Sequence, residues 1–144
     1  MIATGPGWRD EVKALTGGRG VDVVYDGVGG DVSLESLRCV RFGARYLIVG
    51  WAATPFAGRG ETAPNQLPTN LILIKGLDVL GCPTVIATVN DPAIRAPRLA
   101  QVIAWATAGR LTPLVARTFP LADFAAAMRA KWHAEDVGGI VLHP

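Results

Sequence analysis

Cysteine is scarce in this sequence: 144 residues carry two, Cys39 and Cys82, in different segments. There is no CxxC pair and no Cys/His cluster, so neither a structural zinc site nor a disulfide framework is indicated. Each thiol reads as a small buried apolar group. No apolar run approaches the roughly 20 residues of a membrane span. The opening MIATGPGWRD has no basic stretch followed by a greasy one, so it does not read as a secretory signal, and the expectation is a soluble cytoplasmic protein. Charge of one sign is lacking too, with 14 Lys and Arg set against 12 Asp and Glu. The nearest basic cluster, Arg38, Arg41 and Arg45, reads as a solvated face, which leaves nucleic acid without a binding stripe. No internal repeat or low-complexity segment is present.

What the chain does have is apolar material, half of its residues, enough for a core at the length of one ordinary domain. Trp8, Val12 and Leu15 share one helical face, and Gly17-Gly18 supplies a stop. Val21–Tyr25 is a β-branched and aromatic run that reads as a buried strand, with Tyr25 in the core. A helix follows over Val32–Val40, with Leu34 and Leu37 inward, Asp31 or Ser33 as its cap and Gly43 as its end. Tyr46–Val49 is a second strand. Strand, helix and strand with short links predict a right-handed crossover and a parallel pair.

Residues 52–68 form a long Gly/Pro/Thr/Ala-rich loop, either a functional lid or a surface insertion. Asn70–Lys75 reads equally as a helix or a strand, and Leu77–Gly81 as a third strand. The remainder predicts a helix over Asp91–Ala108 with Leu99, Val102, Ile103 and Ala106 on one stripe. A strand over Leu114–Phe119 follows, then a helix over Leu121–His133 with Leu121, Phe124, Met128 and Trp132 inward, and a last strand over Gly139–Leu142.

The stretch VDVVYDGVGG puts glycines directly after a strand, as a dinucleotide-binding turn does. The register from Gly27 reads GVGGDV, however, with Val32 at the third glycine position. The acidic residue expected about 20 positions on is also absent, because Tyr46–Val49 runs into Gly50-Trp51. TGGRGVDVV has its glycines before the strand, and TGPG has no strand ahead of it. None of the three is a pyrophosphate loop.

The succession TGGRGVDVVYDGVGG, SLRCVRFGARYLIVGW, NLILIKGLDVLG and GRLTPLVARTFPLADFAAAM…GGIVL resembles the medium-chain dehydrogenase/reductase superfamily. Within it, the zinc-independent NADPH:quinone oxidoreductases are the nearest branch. The resemblance runs over nearly the whole chain. It implies an α/β fold: the distal half of a Rossmann-type parallel sheet with helices on both faces (residues 1–110), plus a C-terminal return segment (111–144), together one incomplete cofactor domain. In that family the pyrophosphate loop and the stretch that reads the adenosine ribose phosphate belong to the first half of the sheet.

The resemblance places Gly27, Val28 and Gly29 after the fourth Rossmann strand. It places Val49, Gly50 and Trp51 after the fifth, and Gly81, Cys82 and Pro83 after the sixth. All lie at carboxyl ends of parallel strands, where open α/β sheets bind ligands, and the resemblance makes them the rim of the nicotinamide half of NADPH. Read from the residues alone, each is a structural turn where glycine permits close packing; the resemblance is what makes it a cofactor rim. Gly138-Gly139 departs from the family's Gly-Lys pattern and leaves no cation there. No metal ligand and no catalytic side chain is assigned; His133 and His143 read as surface residues.

Two functions follow as expectations. One is the C-terminal portion of an NADPH-dependent quinone or enone reductase, weak in cofactor binding by itself because it lacks the diphosphate grip. The other is a non-catalytic association module, with the Leu77–Gly81 edge joining a second copy into a homodimer.

Overall fold

The computed structural model describes residues 5, 7–53, 65–133 and 136–144. They belong to two compact units, 1–90 and 91–144. Both are α/β, with parallel strands throughout. No helix among the described residues is long and apolar enough to cross a membrane.

The first unit runs α1 (Trp8–Leu15), β1 (Val21–Asp26), α2 (Gly30–Arg38), β2 (Val40–Ile48), α3 (Thr69–Lys75), β3 (Asp78–Gly81) and α4 (Thr84–Asn90). Its sheet has the order β1-β2-β3, so the predicted parallel pair forms, with Val24 opposite Tyr46 and Tyr25 opposite Leu47. β3 extends the sheet on the far side of β2, pairing Tyr46 with Val79 and Ile48 with Gly81. The core gathers where α2 crosses the sheet: Leu37 and Tyr46 have no exposed surface, and Val40, Ala44 and Leu77 close around them. Burial of such side chains supplies the driving force, about 1.5–3 kcal/mol each for the larger aliphatics.

Several local expectations are corrected. β2 begins at Val40, so Gly43 does not end a helix; it lies inside the strand at φ 68, in an irregularity of the ladder between the Val21–Val40 and Val23–Arg45 pairs. Tyr25 is 73% exposed, because β1 is an edge strand whose alternate residues, Val23 and Tyr25, point away from the buried side. α2 starts at Gly30 with neither Asp31 nor Ser33 as its cap. The ambiguous Asn70–Lys75 run is helical. α4 had no counterpart in the sequence reading. Within the long loop, residues 54–64 lie outside the described residues.

Lys75, at the end of α3, donates from Nζ to the Val40 carbonyl at 2.9 Å and the Arg38 carbonyl at 3.3 Å. It thereby ties α3 to the carboxyl end of α2, where helix carbonyls lack intrahelical partners.

The second unit holds α5 (Arg95–Thr107), β4 (Val115–Pro120), α6 (Phe124–Trp132) and β5 (Gly139–His143). A 3-10 turn over Pro92–Ile94 precedes α5, and the Asp91 carboxylate accepts from the Ala93 amide to cap it. Pro92 and Pro97 therefore sit where a missing N–H costs little. β4 and β5 pair in parallel, with Phe119 opposite Leu142. Gly138, at φ 129, leads into β5: a Cβ there would lie 2.8 Å from the Leu114 carbonyl oxygen, which also accepts the Gly139 amide. The Gly-Gly pair thus lets β5 come in close beside β4.

The predicted inner faces of this unit are not observed. Leu121, Phe124, Met128 and Trp132 are exposed, and α6 instead buries Ala127 and Ala130. Small side chains let the helix backbone approach its two-stranded sheet closely. Leu99, Val102 and Ile103 of α5 are about half exposed.

Candidate functional site

β1 ends on Asp26, a carboxylate only 6% exposed. Its Oδ1 accepts the amides of Val28 at 2.8 Å and Gly29 at 2.9 Å. Its Oδ2 accepts the hydroxyl of Tyr46 at 2.6 Å and that of Ser33. Burial pushes this carboxyl up, but the bonds from Ser33, Tyr46, Gly29 and Val28 outweigh it and hold the group below the ordinary carboxylate range. Burial, and then the bond to Asp26, push the Tyr46 phenol well above its ordinary value, so it stays a donor. The next amide, that of Gly30 at the start of α2, is accepted at 3.1 Å by the Asn65 side chain.

These bonds decide what DGVGG is. A phosphate loop presents free backbone N–H groups to an anion. Here the amides of Val28, Gly29 and Gly30 already have acceptors within the chain, one of them an ionised carboxylate that would repel phosphate. The turn is closed to a diphosphate.

The segment leaving β2 is sewn to the other side of this turn. The amides of Val49 and Gly50 donate to the Asp26 carbonyl at 2.8 and 3.1 Å. Ala52 donates to Gly27 at 3.2 Å, and Ala53 to Val28 at 2.8 Å. Gly50 suits this approach, since a Cβ there would stand 3.0 Å from the Gly27 carbonyl oxygen, a tight contact. On the third strand, the Cys82 amide donates to the Ile48 carbonyl at 2.8 Å, and the Ala87 amide to Pro83 at 2.7 Å as α4 begins.

At the carboxyl ends of these strands lies a pocket of ≈ 710 Å³, lined by Gly27, by residues 48–52 and by residues 81–86. That volume suits a small ligand or one half of a large one. The predicted Gly27, Val49, Gly50, Trp51, Gly81, Cys82 and Pro83 all line it. Val28 and Gly29 do not; their amides face the Asp26 carboxylate. Among the described lining residues, only Cys82 carries an ionisable side chain. Among the described residues, no group of three or more His, Cys, Asp or Glu is placed to hold a metal ion. His133 and His143 are exposed and stand outside the first unit.

The sequence reading missed Ile48, Ala52 and the Thr84–Ile86 start of α4 as lining. It also missed the Asp26–Ser33–Tyr46 cluster. The signal was present in the acid that ends the strand VDVVYD just before the glycines, since a buried carboxylate demands donors.

A family model described as "Zinc-binding dehydrogenase" matches residues 7–142. A 2-haloacrylate reductase from Burkholderia sp is 31% identical over 137 residues, covering 95% of this chain and 39% of that protein. Quinone oxidoreductase-like protein 2 from Mus musculus is 29% identical over 134 residues, covering 93% of this chain and 36% of its own length. The crystal structure of an NAD-dependent alcohol dehydrogenase superposes with a TM-score of 0.69 at 26% identity, over 98% of this chain and 36% of that one. The chain thus spans less than two-fifths of the length of each of these proteins.

Proposed function

The chain belongs to the zinc-binding dehydrogenase family of medium-chain dehydrogenase/reductases, and from that we propose that it forms the nicotinamide-side wall of a zinc-independent reductase that uses NADPH to reduce an electron-poor, quinone-like substrate. Its relatives, a reductase and a quinone oxidoreductase-like protein among them, support the oxidoreductase class. The observation that carries the reading is the pocket at the carboxyl ends of three parallel strands, whose described lining residues are mostly apolar and include no charged side chain.

The residues fit one half of the cofactor. Gly27 and Gly50 keep the floor free of side chains, which gives a flat neutral ring access to the backbone. Trp51, Val85 and Ile86, each half exposed or more, present an apolar wall against which a neutral ring can lie. The closed turn does not fit the diphosphate, whose grip belongs to residues other than Val28–Gly30. NADPH, when bound, supplies the hydride; the chain's part is to orient it.

Titration with reduced nicotinamide mononucleotide, followed by amide chemical shifts, tests this. Binding of roughly millimolar strength is expected, because a mononucleotide lacks most of the anchoring contacts. The shifts should concentrate at Gly27, Val49–Ala52 and Gly81–Thr84. Shifts confined to other residues, or none at saturating probe, would refute the reading.

A second reading has its own observation. β3 is the end strand of its sheet, with one edge unpaired among the described residues. An open apolar edge invites pairing, which makes the chain an association module whose Leu77–Gly81 edge meets a second copy. Light scattering should then give twice the chain mass, falling to one chain mass when Val79 is replaced by proline, which cannot donate to a ladder. A single-chain mass for the unmutated protein refutes it.

A further inference from the structure

We infer that Asp26 is a positioning residue for this pocket, its carboxylate fixing the wall through the two peptide planes whose amides it holds; this rests on the pocket being the nicotinamide site.

The linkage is built into single peptide groups. The plane between Gly27 and Val28 carries the Val28 N–H, held by Asp26 Oδ1 at 2.8 Å, and the Gly27 carbonyl, which accepts Ala52 at 3.2 Å. The next plane carries the Gly29 N–H, held by the same oxygen at 2.9 Å, and the Val28 carbonyl, which accepts Ala53 at 2.8 Å. A peptide group is rigid, so fixing the direction of its N–H fixes the direction of its C=O. One carboxylate oxygen therefore sets two carbonyls, and those carbonyls seat the segment that carries Trp51 and Ala52 into the pocket. Gly29, at φ 79, turns the chain from these two amides into the start of α2.

The other carboxylate oxygen has a different part. Its donors, Ser33 on α2 and Tyr46 on β2, anchor the carboxylate to the core without touching the turn amides. A buried carboxylate is costly and is kept only where donors surround it, as here. What an apolar side chain of the same size lacks is an acceptor for Val28 and Gly29. The two halves of the network can thus be separated by mutation.

Asp26→Asn keeps an oxygen acceptor for both amides, whereas Asp26→Leu keeps the volume and removes it. Asp26→Leu should speed hydrogen exchange at the Ala52 and Ala53 amides at least about tenfold and weaken capture of reduced nicotinamide mononucleotide by a similar factor. Asp26→Asn should stay within about threefold of the unmutated chain in both. Tyr46→Phe should lower stability and leave exchange at Ala52 and Ala53 ahead of global unfolding unchanged. Should Asp26→Leu fail to fold, the unmutated chain decides: the amides of Val28, Gly29, Ala52 and Ala53 should exchange as one cooperative unit. Exchange of Ala52 and Ala53 independent of the turn amides overturns the inference, as does equal loosening by Tyr46→Phe. An unmutated chain that ignores the mononucleotide refutes the site assignment, while the exchange rates still decide the role of Asp26.

Discussion

Gly20→Ala should destabilise the first unit by about 3 kcal/mol or more, measured by urea unfolding followed through far-UV circular dichroism. Gly20 stands immediately before β1 with φ 90, a conformation that an L side chain adopts only with strain. A Cβ there would lie 2.5 Å from the Cys39 carbonyl oxygen, 2.7 Å from the Val40 carbonyl carbon and 2.8 Å from the Arg41 nitrogen. These are backbone atoms where the chain enters β2, and they cannot swing aside as a flexible side-chain tip does. They also include the acceptor of the first inter-strand bond, from the Val21 amide at 3.0 Å. The clash therefore strikes the start of the parallel ladder that sets the register of Asp26. Gly17 and Gly18 are the internal control. Both have positive φ, 61 and 80, but a Cβ at either would meet nothing within 4 Å. Alanine at either should cost only about 1–2 kcal/mol, the left-handed strain alone. Equal losses at positions 18 and 20 would show that contact with the chain entering β2 adds nothing.

That difference among neighbouring glycines marks the limit of what the sequence discloses. GGRG reads as a stop and a turn, and it is one, but which glycine is irreplaceable depends on a strand beyond the next helix, where Val40 comes to lie against Val21. The βαβ order was legible because Val21–Tyr25 and Tyr46–Val49 are strand-like runs separated by a helical period. The lining by Gly27, Val49–Trp51 and Gly81–Pro83 was legible through the family resemblance, which sets these turns at the carboxyl ends of neighbouring parallel strands. The inner face of α6 was misread because a period-3.6 stripe of large apolar residues usually marks the buried side, yet here the alanines approach the sheet. Asp26 escaped notice for a related reason. Its donors come from positions 28, 29, 33 and 46, and only the fold brings them to one point.

Asp26→Ala should cost about 3–5 kcal/mol at neutral pH, since it leaves two amides, a serine hydroxyl and a tyrosine hydroxyl without their acceptor in a buried place. The pH dependence gives the claim a second, independent sign. The folded-state pKa of Asp26 lies below its ordinary value of about 3.9, so the folded state favours the ionised form. Its contribution is therefore fully present above about pH 4 and is lost as the pH falls through the folded-state pKa. The unmutated chain should lose stability on acidification in that window. Asp26→Ala, already without the carboxylate, should show a shallower fall there, so the stability gap between the two narrows as acid is added. Urea midpoints measured from pH 7 down to about pH 3 check this. A gap that stays constant would mean that the carboxylate's ionisation does not stabilise the turn, and that the loss at neutral pH comes from contacts and volume that protonation leaves unchanged. A gap that widens in acid would mean that Asp26 is more easily protonated in the folded state, with burial outweighing its four donors.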